Sequence, residues 1–141
     1  GRDPHKLKSK KNYSILKDDL RNILDGNDPQ LLVKKAEEIA VETLKPKKKL
    51  STSQIRNIYG TVKKIEAMDD PKLKVGKLIL LKPKLAYTVG RNKDVPGIKL
   101  LSNILTNAID LVNEKNDRFD MFSNFFEAIL AYHRFNGGST S

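Results

Sequence analysis

The amino-acid sequence predicts an all-α protein, a single compact bundle of about five or six helices. Apolar residues recur at steps of three and four along most of the chain, and capping residues and prolines separate the periodic segments. No internal repeat or Gly/Ser linker interrupts this series. The chain has 141 residues, 38% of them hydrophobic, which is enough for one modest core. We therefore predict one helical domain over residues 12–138.

The first helix is predicted to follow a tail. Residues 1–11 are rich in lysine and have no apolar period, so we interpret them as a flexible basic tail that includes residues left from cloning. No function is assigned to His5. Helical spacing begins near Tyr13, and Gly26 can end the helix in the left-handed conformation.

The second helix has a start and a stop signal. Asp28 can cap it, Pro29 suits its first position, and Pro46 ends it. Three of its carboxylates are expected to face water: Glu37, Glu38 and Glu42.

The third helix has the best-specified start in the chain. Ser51 and Gln54 have capping-box spacing, and Leu50 and Ile55 occupy the positions of a hydrophobic staple. We predict that this helix runs over about residues 52–68.

The segment 71–92 is dense in apolar residues and is predicted to be helical. The apolar run at 78–81 alone would also suit a strand. Pro83 should kink the helix or restart it, and the sequence leaves open whether 78–91 form one kinked helix.

Two helices are predicted after this segment. Pro96 can stand in the first turn of one of them, and Asp117 can cap the other, which ends before Gly137. An aromatic stripe should place the last helix at the centre of the core: Phe119, Phe122, Phe125 and Phe126.

The composition excludes several classes of function. The chain has no cysteine and only two histidines, so disulfides, thiolate catalysis and Cys- or His-rich metal sites are not expected. It has no Gly-rich phosphate loop or hydrolase motif, and its acidic pairs are sequence neighbours that diverge on a helix. We predict no enzyme, no cofactor and no membrane span, and a cytoplasmic location.

Positive charge is concentrated in the first two thirds of the chain. Residues 1–93 hold 23 basic and 11 acidic residues, a net charge of +12, whereas 94–141 hold 4 and 6, a net charge of −2. Two windows with seven bases each contain no acid, one between Glu42 and Glu66 and one between Asp70 and Asp94. A charge run is often only a solvated face, but two such windows favour an anionic partner such as nucleic acid.

The third helix and the residues before it are the first candidate site. One helical face carries Arg56, Lys63 and Lys64 together with Gly60, where a sugar–phosphate backbone or another helix could approach closely. Three lysines precede the helix N-terminus, which attracts phosphate: Lys47, Lys48 and Lys49. Tyr59 and Tyr87 lie near these bases and would either stack on nucleotide bases or pack in the core.

Lysine and arginine contacts of this kind hold the nucleic-acid backbone and do not read sequence, so we expect sequence-independent binding. One small module binds weakly, which predicts several copies or partner subunits. The residues do not distinguish RNA from DNA. Two alternatives remain: a helical structural adaptor that contacts acidic protein partners, and a generic helical DNA-binding protein.

Three segments in this order resemble a known family. They are residues 50–56 (LSTSQIR), 81–91 (LKPKLAYTVGR) and 125–133 (FFEAILAYH), with Gly97 and Ile98 before Lys99. Over about residues 50–138 the chain is similar to the small subunit of the type III-A (Csm) CRISPR effector complex.

The resemblance implies a helical subunit that is present in several copies beside other subunits, packed along guide RNA and target RNA, without nuclease activity. It implies that five residues are the favoured backbone contacts: Arg56, Lys82, Lys84, Arg91 and Lys99. The full set of predicted nucleic-acid-binding residues is Lys47, Lys48, Lys49, Arg56, Lys63, Lys64, Lys82, Lys84, Arg91 and Lys99.

Overall fold

The structure is a computed structural model that describes residues 13–48 and 50–137. The predicted tail at 1–11 and Lys49 lie outside these residues. The described residues form seven α-helices, one 3₁₀ turn and no strand. The elements are α1 (Lys17–Leu24), α2 (Pro29–Thr43), α3 (Thr52–Glu66), α4 (Pro71–Ile79), α5 (Leu81–Arg91), α6 (Pro96–Glu114), the 3₁₀ turn (Asn116–Arg118) and α7 (Phe119–Phe135).

The prediction of an all-α bundle is confirmed, and the open question at residues 78–91 is resolved. Helix α4 ends at Ile79 and α5 begins at Leu81, with Leu80 as the junction. Pro83 falls in the first turn of α5, where its missing N–H is not needed. Proline therefore restarts the helix, and a strand at 78–81 is not formed. Counting α4 and α5 as one interrupted helix gives six.

The predicted helix starts of α2 and α3 are confirmed in detail. Asp28 accepts a hydrogen bond from the backbone N–H of Leu31. At the start of α3, Ser51 Oγ accepts from the N–H of Gln54, and Gln54 Oε1 accepts from the N–H of Ser51 at 2.9 Å. Gly26 follows α1 with φ +74°, as its predicted role requires. These starts depend on residues a few positions apart, which is why sequence pattern finds them.

Two predicted boundaries were wrong. Helix α1 begins at Lys17, four residues later than Tyr13, and Tyr13 instead donates its hydroxyl to Glu38 on α2. Asp117 does not cap α7, because residues 116–118 form a 3₁₀ turn and α7 begins at Phe119 without a side-chain cap. Both differences come from contacts with distant parts of the chain.

Helices α6 and α7 form the centre of the core. Phe122, Phe125 and Phe126 on α7 are fully buried, as the aromatic stripe predicted. The other helices surround this pair: α2 packs chiefly against α7, α3 against α7 and α4, and α5 against α6. No helix among the described residues combines the length and the apolar character that a membrane span requires.

A partly buried ion pair joins the 3₁₀ turn to the end of α1. Arg118 is 7% exposed, its Nε donates to Asp25 Oδ1 at 2.6 Å, and its Nη1 donates to the carbonyl oxygen of Leu111 at 2.8 Å. The hydrogen bond from Arg118 lowers the pKa of Asp25 below its usual range. The sequence pattern placed the start of α7 at Asp117. Residues 116–118 form a 3₁₀ turn instead, which is accounted for by the inward orientation of the Arg118 side chain.

We predict that Arg118→Ala lowers the free energy of unfolding by about 2 kcal/mol, because Asp25 loses its donor in a partly buried site and the buried Leu111 carbonyl loses its donor as well. Chemical denaturation measures this loss. The matched control is Arg21→Ala, which removes an exposed ion pair with Asp18 and should cost about 0.5 kcal/mol or less. Equal losses in both variants would contradict the assignment.

Candidate nucleic-acid interface

The start of α3 is fixed to α7 by His133. The imidazole is fully buried, with Nε2 at 2.9 Å from the carbonyl oxygen of Leu50 and Nδ1 at 3.0 Å from Thr52 Oγ1. Because a carbonyl only accepts, Nε2 carries the proton, and in the neutral ring Nδ1 accepts from the threonine hydroxyl. Burial lowers the pKa of His133, which favours this neutral form. The histidine therefore has a structural role at the junction of α3 and α7.

The chain just before α3 is held against the start of α6. The N–H of Gly97 donates to the carbonyl oxygen of Lys48 at 2.9 Å. A Cβ atom at Gly97 would lie 2.7 Å from Leu50 Cβ and 3.0 Å from the Lys48 oxygen. Only glycine permits this approach without a shift of the backbone. The contact gives a physical reason for the glycine that precedes Ile98 and Lys99 at the start of α6.

This approach brings two predicted contacts, Lys48 and Lys99, to one cavity of about 440 Å³ over the outer face of α6. Asn103 and Asn107 add two amide side chains to its wall. None of the described residues that line it carries a carboxylate. We refer to this site as the α6 cavity, and its full lining is Tyr13, Ser14, Ile15, Lys48, Pro96, Lys99, Leu100, Asn103, Ile104, Thr106 and Asn107.

A second concave site, which we call the α3–α5 groove, lies between those two helices and has a volume of about 410 Å³. Its floor is apolar and its walls carry amides, hydroxyls and one lysine, with no carboxylate among the described lining residues. Those residues are Gln54, Asn57, Ile58, Thr61, Leu81, Lys84, Leu85, Thr88, Asn92 and Ile98. The groove thus offers hydrogen-bond donors and positive charge without a competing acid.

Exposed cations continue each wall of this groove. Lys64 follows Asn57 and Thr61 on one stripe of α3, because residues seven and three positions apart share a helical face. Arg91 follows Lys84 and Thr88 on α5 in the same way. Lys64, Lys84 and Arg91 are all exposed, and none has an ion pair within the part of the chain that the structure describes. The groove is therefore flanked by three cations available to a ligand.

The two tyrosines considered for stacking have different environments. Tyr87 is 65% exposed, and the Arg91 guanidinium lies over its ring at 5.8 Å from the centroid. Tyr59 instead packs its ring edge-to-face on Phe126 at 5.3 Å, and burial raises its pKa. Tyr59 is thus partly buried and packs against the core, whereas the ring of Tyr87 is accessible to a nucleotide base.

The remaining predicted residues do not share one site. Lys63 forms an ion pair with Glu66, and Lys82 forms one with Asp110 at 2.6 Å. Arg56 is exposed on the side of α3 next to Lys63 rather than toward the groove, and Lys47 is exposed in the turn before α3. The predicted single basic face of α3 is thus exposed, as expected, but one of its three cations is partly neutralised.

Sequence reasoning missed the polar walls of the groove. Asn57, Thr61 and Asn92 were not predicted as site residues, although Asn57, Thr61 and Lys64 recur at helical spacing. That helical spacing could have identified this wall of the groove. The prediction considered only lysine and arginine side chains and therefore left out amides and hydroxyls. Among the described residues, no cluster of histidine and carboxylate side chains could hold a metal ion.

The chain was compared with protein families, curated proteins and solved structures. The model of the family described as Csm2 Type III-A matches residues 26–139. No curated protein and no solved structure matches the chain significantly. The family match extends over α2 to α7 and includes the whole α3–α5 groove, and it includes the α6 cavity apart from Tyr13, Ser14 and Ile15.

His133 should make stability depend on pH in a defined window. Its pKa is lowered in the folded state, so below about pH 6.5 the unfolded chain binds a proton that the folded chain does not. Stability is therefore constant with respect to this group above pH 6.5 and falls as the pH decreases, by at most about 1.4 kcal/mol per pH unit.

Thermal unfolding between pH 7.5 and 5.5 tests this expectation. His133→Gln should be less stable at pH 7.5 but should show little change over the window, because glutamine does not titrate. A wild type whose pH dependence equals that of His133→Gln would contradict the assignment.

The close approach at Gly97 predicts opposite effects for two substitutions of the same kind. Gly97→Ala should destabilise the fold by about 1–3 kcal/mol, since its new methyl group overlaps backbone and Leu50. Gly60→Ala should stabilise it by about 0.5–1 kcal/mol, because a Cβ there meets nothing within 4 Å and alanine favours helix. Denaturant titration of both variants measures these changes, and a shared sign would argue against the steric explanation.

Proposed function

Because the chain belongs to the Csm2 type III-A family, the small subunits of type III-A CRISPR effector complexes, we propose that it binds guide RNA and target RNA in such a complex. It does so without sequence preference, through backbone phosphates, and it catalyses no reaction itself. The other subunits of the effector complex are its protein partners.

The α3–α5 groove is the single observation that carries this proposal. It is concave and its described lining has no carboxylate, and Lys64, Lys84 and Arg91 flank it without ion pairs to any residue of 13–48 or 50–137. A phosphate chain that enters it exchanges counterions for fixed cations and meets no acidic repulsion. The amide and hydroxyl groups of the walls can donate to phosphate or ribose oxygens, as many side chains do in nucleic-acid complexes.

The structure supports a ranking of the predicted contacts. Lys84 and Arg91 come first because they lie on the groove wall and at its end, and Tyr87 beside them offers an exposed ring for base stacking. Lys48 and Lys99 form a second set at the α6 cavity. Lys63 and Lys82 come last, since a phosphate must compete with Glu66 and Asp110.

Sequence independence follows from the chemistry of these groups. Lysine and arginine hold the charge of the backbone, which carries no base identity. A module of this size binds RNA with a dissociation constant of about 10⁻⁴ to 10⁻⁶ M at physiological salt. Several copies on one strand, or neighbouring subunits, supply the missing affinity through effective concentration.

The two alternatives, a structural adaptor and a generic DNA-binding protein, predict different binding behaviour. A structural adaptor would use the basic surface to contact acidic proteins, and the purified chain would then show no salt-dependent retention of RNA. A generic DNA-binding protein would prefer a duplex sequence, yet amide and arginine side chains that read bases are sparse on the outward face of α3, where Arg56 and Asn57 lie. The family match favours the effector subunit over both.

We predict that the double variant Lys84→Glu/Arg91→Glu binds single-stranded RNA at least about tenfold more weakly than wild type at low salt, and that its log K against log salt slope is smaller by about 1.4. Fluorescence anisotropy with two labelled RNAs of unrelated sequence measures both quantities, and the two RNAs should give the same affinity. The labelled RNA recovered afterwards should be uncut.

The matched control is Lys17→Glu/Lys34→Glu, which makes the same change in net charge on α1 and α2. Its slope should equal that of wild type. If both double variants lose the same affinity and slope, binding reflects overall charge and the groove is not the site. Cleavage of the RNA that disappears in His133→Ala would overturn the proposed lack of catalysis.

A further inference from the structure

The α6 cavity contains two asparagine side chains that the described part of the chain does not use. Asn103 and Asn107 lie one turn apart on the exposed side of α6, and neither amide has a hydrogen-bond partner within residues 13–48 and 50–137. Asn92 and Asn136, in contrast, each donate to a carbonyl oxygen one turn earlier in the chain, at 2.8 Å. Asparagine inside a helix lowers its stability relative to alanine. The fold of the described chain therefore gives no reason for amides at these two positions of α6.

Two lysines stand at one end of the same cavity. Lys99 lies one turn before Asn103 on the same stripe of α6. The carbonyl oxygen of Lys48 accepts from the N–H of Gly97 at 2.9 Å, which holds the Lys48 backbone beside the start of α6. Neither ammonium group forms an ion pair with a described residue. Because the N–H of Gly97 is already bonded and Pro96 has none, binding of an anion at this end depends on the two lysine side chains.

Apolar and aromatic surface completes the lining. Leu100 and Ile104 contribute to it from α6 and are only 8% and 3% exposed, whereas Ile15 and Tyr13 contribute from the segment before α1. Tyr13 donates its hydroxyl to Glu38 at 3.1 Å, and Glu38 is not among the lining residues. Since this bond engages the hydroxyl outside the cavity, the ring offers the cavity aromatic surface at a fixed position.

The dimensions of the cavity suit a small ligand. Its volume of about 440 Å³ lies within the range of sites that bind small molecules. Lys99 and Asn107 are separated by two turns of α6, about 12 Å along the helix axis. Cations at one end, amides further along and apolar surface beside them match a ligand with an anionic end and a flat ring with polar edges.

A nucleotide combines these three parts. Its phosphate forms charge-assisted hydrogen bonds with lysine. The edge of every base carries donors and acceptors, and an asparagine amide offers both kinds of group. The face of a base stacks on aromatic side chains whatever the identity of the base. The lining therefore fits a nucleotide without a requirement for one of the four bases.

We propose that the α6 cavity binds one unstacked nucleotide of the RNA strand. Lys48 and Lys99 hold its phosphate. Asn103 and Asn107 bind the edge of its base, and the base packs against Tyr13. This inference rests on the proposed function, because it takes the ligand from RNA, and it deepens that function by adding a contact to a base. A free mononucleotide has the same chemistry, and measurements with both ligands separate the two sources.

Titration of the full chain with uridine monophosphate, adenosine monophosphate and ribose 5-phosphate tests the cavity without RNA. NMR follows the side-chain amide signals of Asn103 and Asn107. Both mononucleotides should shift these signals and should bind at least about fivefold more tightly than ribose 5-phosphate, which has no base to stack. The affinities of the two mononucleotides should agree within about twofold, because stacking tolerates every base.

The double variant Asn103→Leu/Asn107→Leu removes both amides and keeps good helix formers on the exposed side of α6. It should bind the mononucleotides at least about fivefold more weakly than wild type, with unchanged binding of ribose 5-phosphate. The matched control is Asn113→Leu/Asn124→Leu, which makes the same two changes away from the cavity and should bind all three ligands as wild type does. Lys99→Ala should weaken all three, because each carries a phosphate.

Two labelled strands of equal length and charge identify the source of the nucleotide, one made of uridylates and one of abasic ribose phosphates. Wild type should prefer the uridylate strand. Asn103→Leu/Asn107→Leu should reduce this preference by at least about threefold and should keep the salt dependence of wild type, because no phosphate contact is lost.

The proposal is overturned if ribose 5-phosphate binds as tightly as the mononucleotides, or if the asparagine double variant binds them as wild type does. It is also overturned if that variant keeps the full preference for the uridylate strand, a result that would assign the cavity to free nucleotides instead. Failure of the proposed function is distinguishable, because it would appear in the RNA affinity of Lys84→Glu/Arg91→Glu, whereas mononucleotide binding is measured without RNA.

Discussion

The contact of the His133 imidazole with the start of α3 fixes the geometry on which the candidate interface depends. The ring binds the Leu50 carbonyl and the Thr52 hydroxyl at once, so both sides of the capping residue Ser51 are held against α7. Gly97 then seats α6 against the same segment. The first turn of α3, which supplies Gln54 and Asn57 to the groove, is positioned by these two contacts.

The sequence predicted what depends on near neighbours. The capping box of Ser51 and Gln54, the left-handed Gly26 and the proline starts involve residues at most a few positions apart, and the structure confirms them. The sequence pattern could not predict that Arg118 turns inward, because its partner Asp25 is 93 positions away in the chain. The aromatic stripe of α7 was predictable because burial of one helical face leaves a period in the chain.

The candidate site was predicted less completely, for a related reason. Composition and charge runs show where lysine and arginine are concentrated in the sequence, but not which of these side chains the fold places together. Lys84 and Arg91 reach one groove, whereas Lys48 and Lys99 reach a cavity over α6. The acid-free windows also did not prevent ion pairs, since Lys82 meets Asp110 from another helix. Such exposed pairs contribute only about 0–1 kcal/mol, so a phosphate can replace the carboxylate at little cost.

Glycine offers a final argument about this surface. Gly60, Gly76 and Gly90 stand within three consecutive helices, and a Cβ atom at any of them would meet nothing within 4 Å. Each costs about 1 kcal/mol of helix stability, a large amount for a domain of this size. No packing contact inside the described chain requires glycine at these three positions. At Gly97, in contrast, the neighbouring backbone and Leu50 leave no room for a side chain. The same three helices hold most of the acid-free windows, so positive charge and missing side chains coincide on one stretch of the chain. A polymer or a helix that approaches closely from outside accounts for both features, and neither folding nor solubility of the isolated chain requires them together.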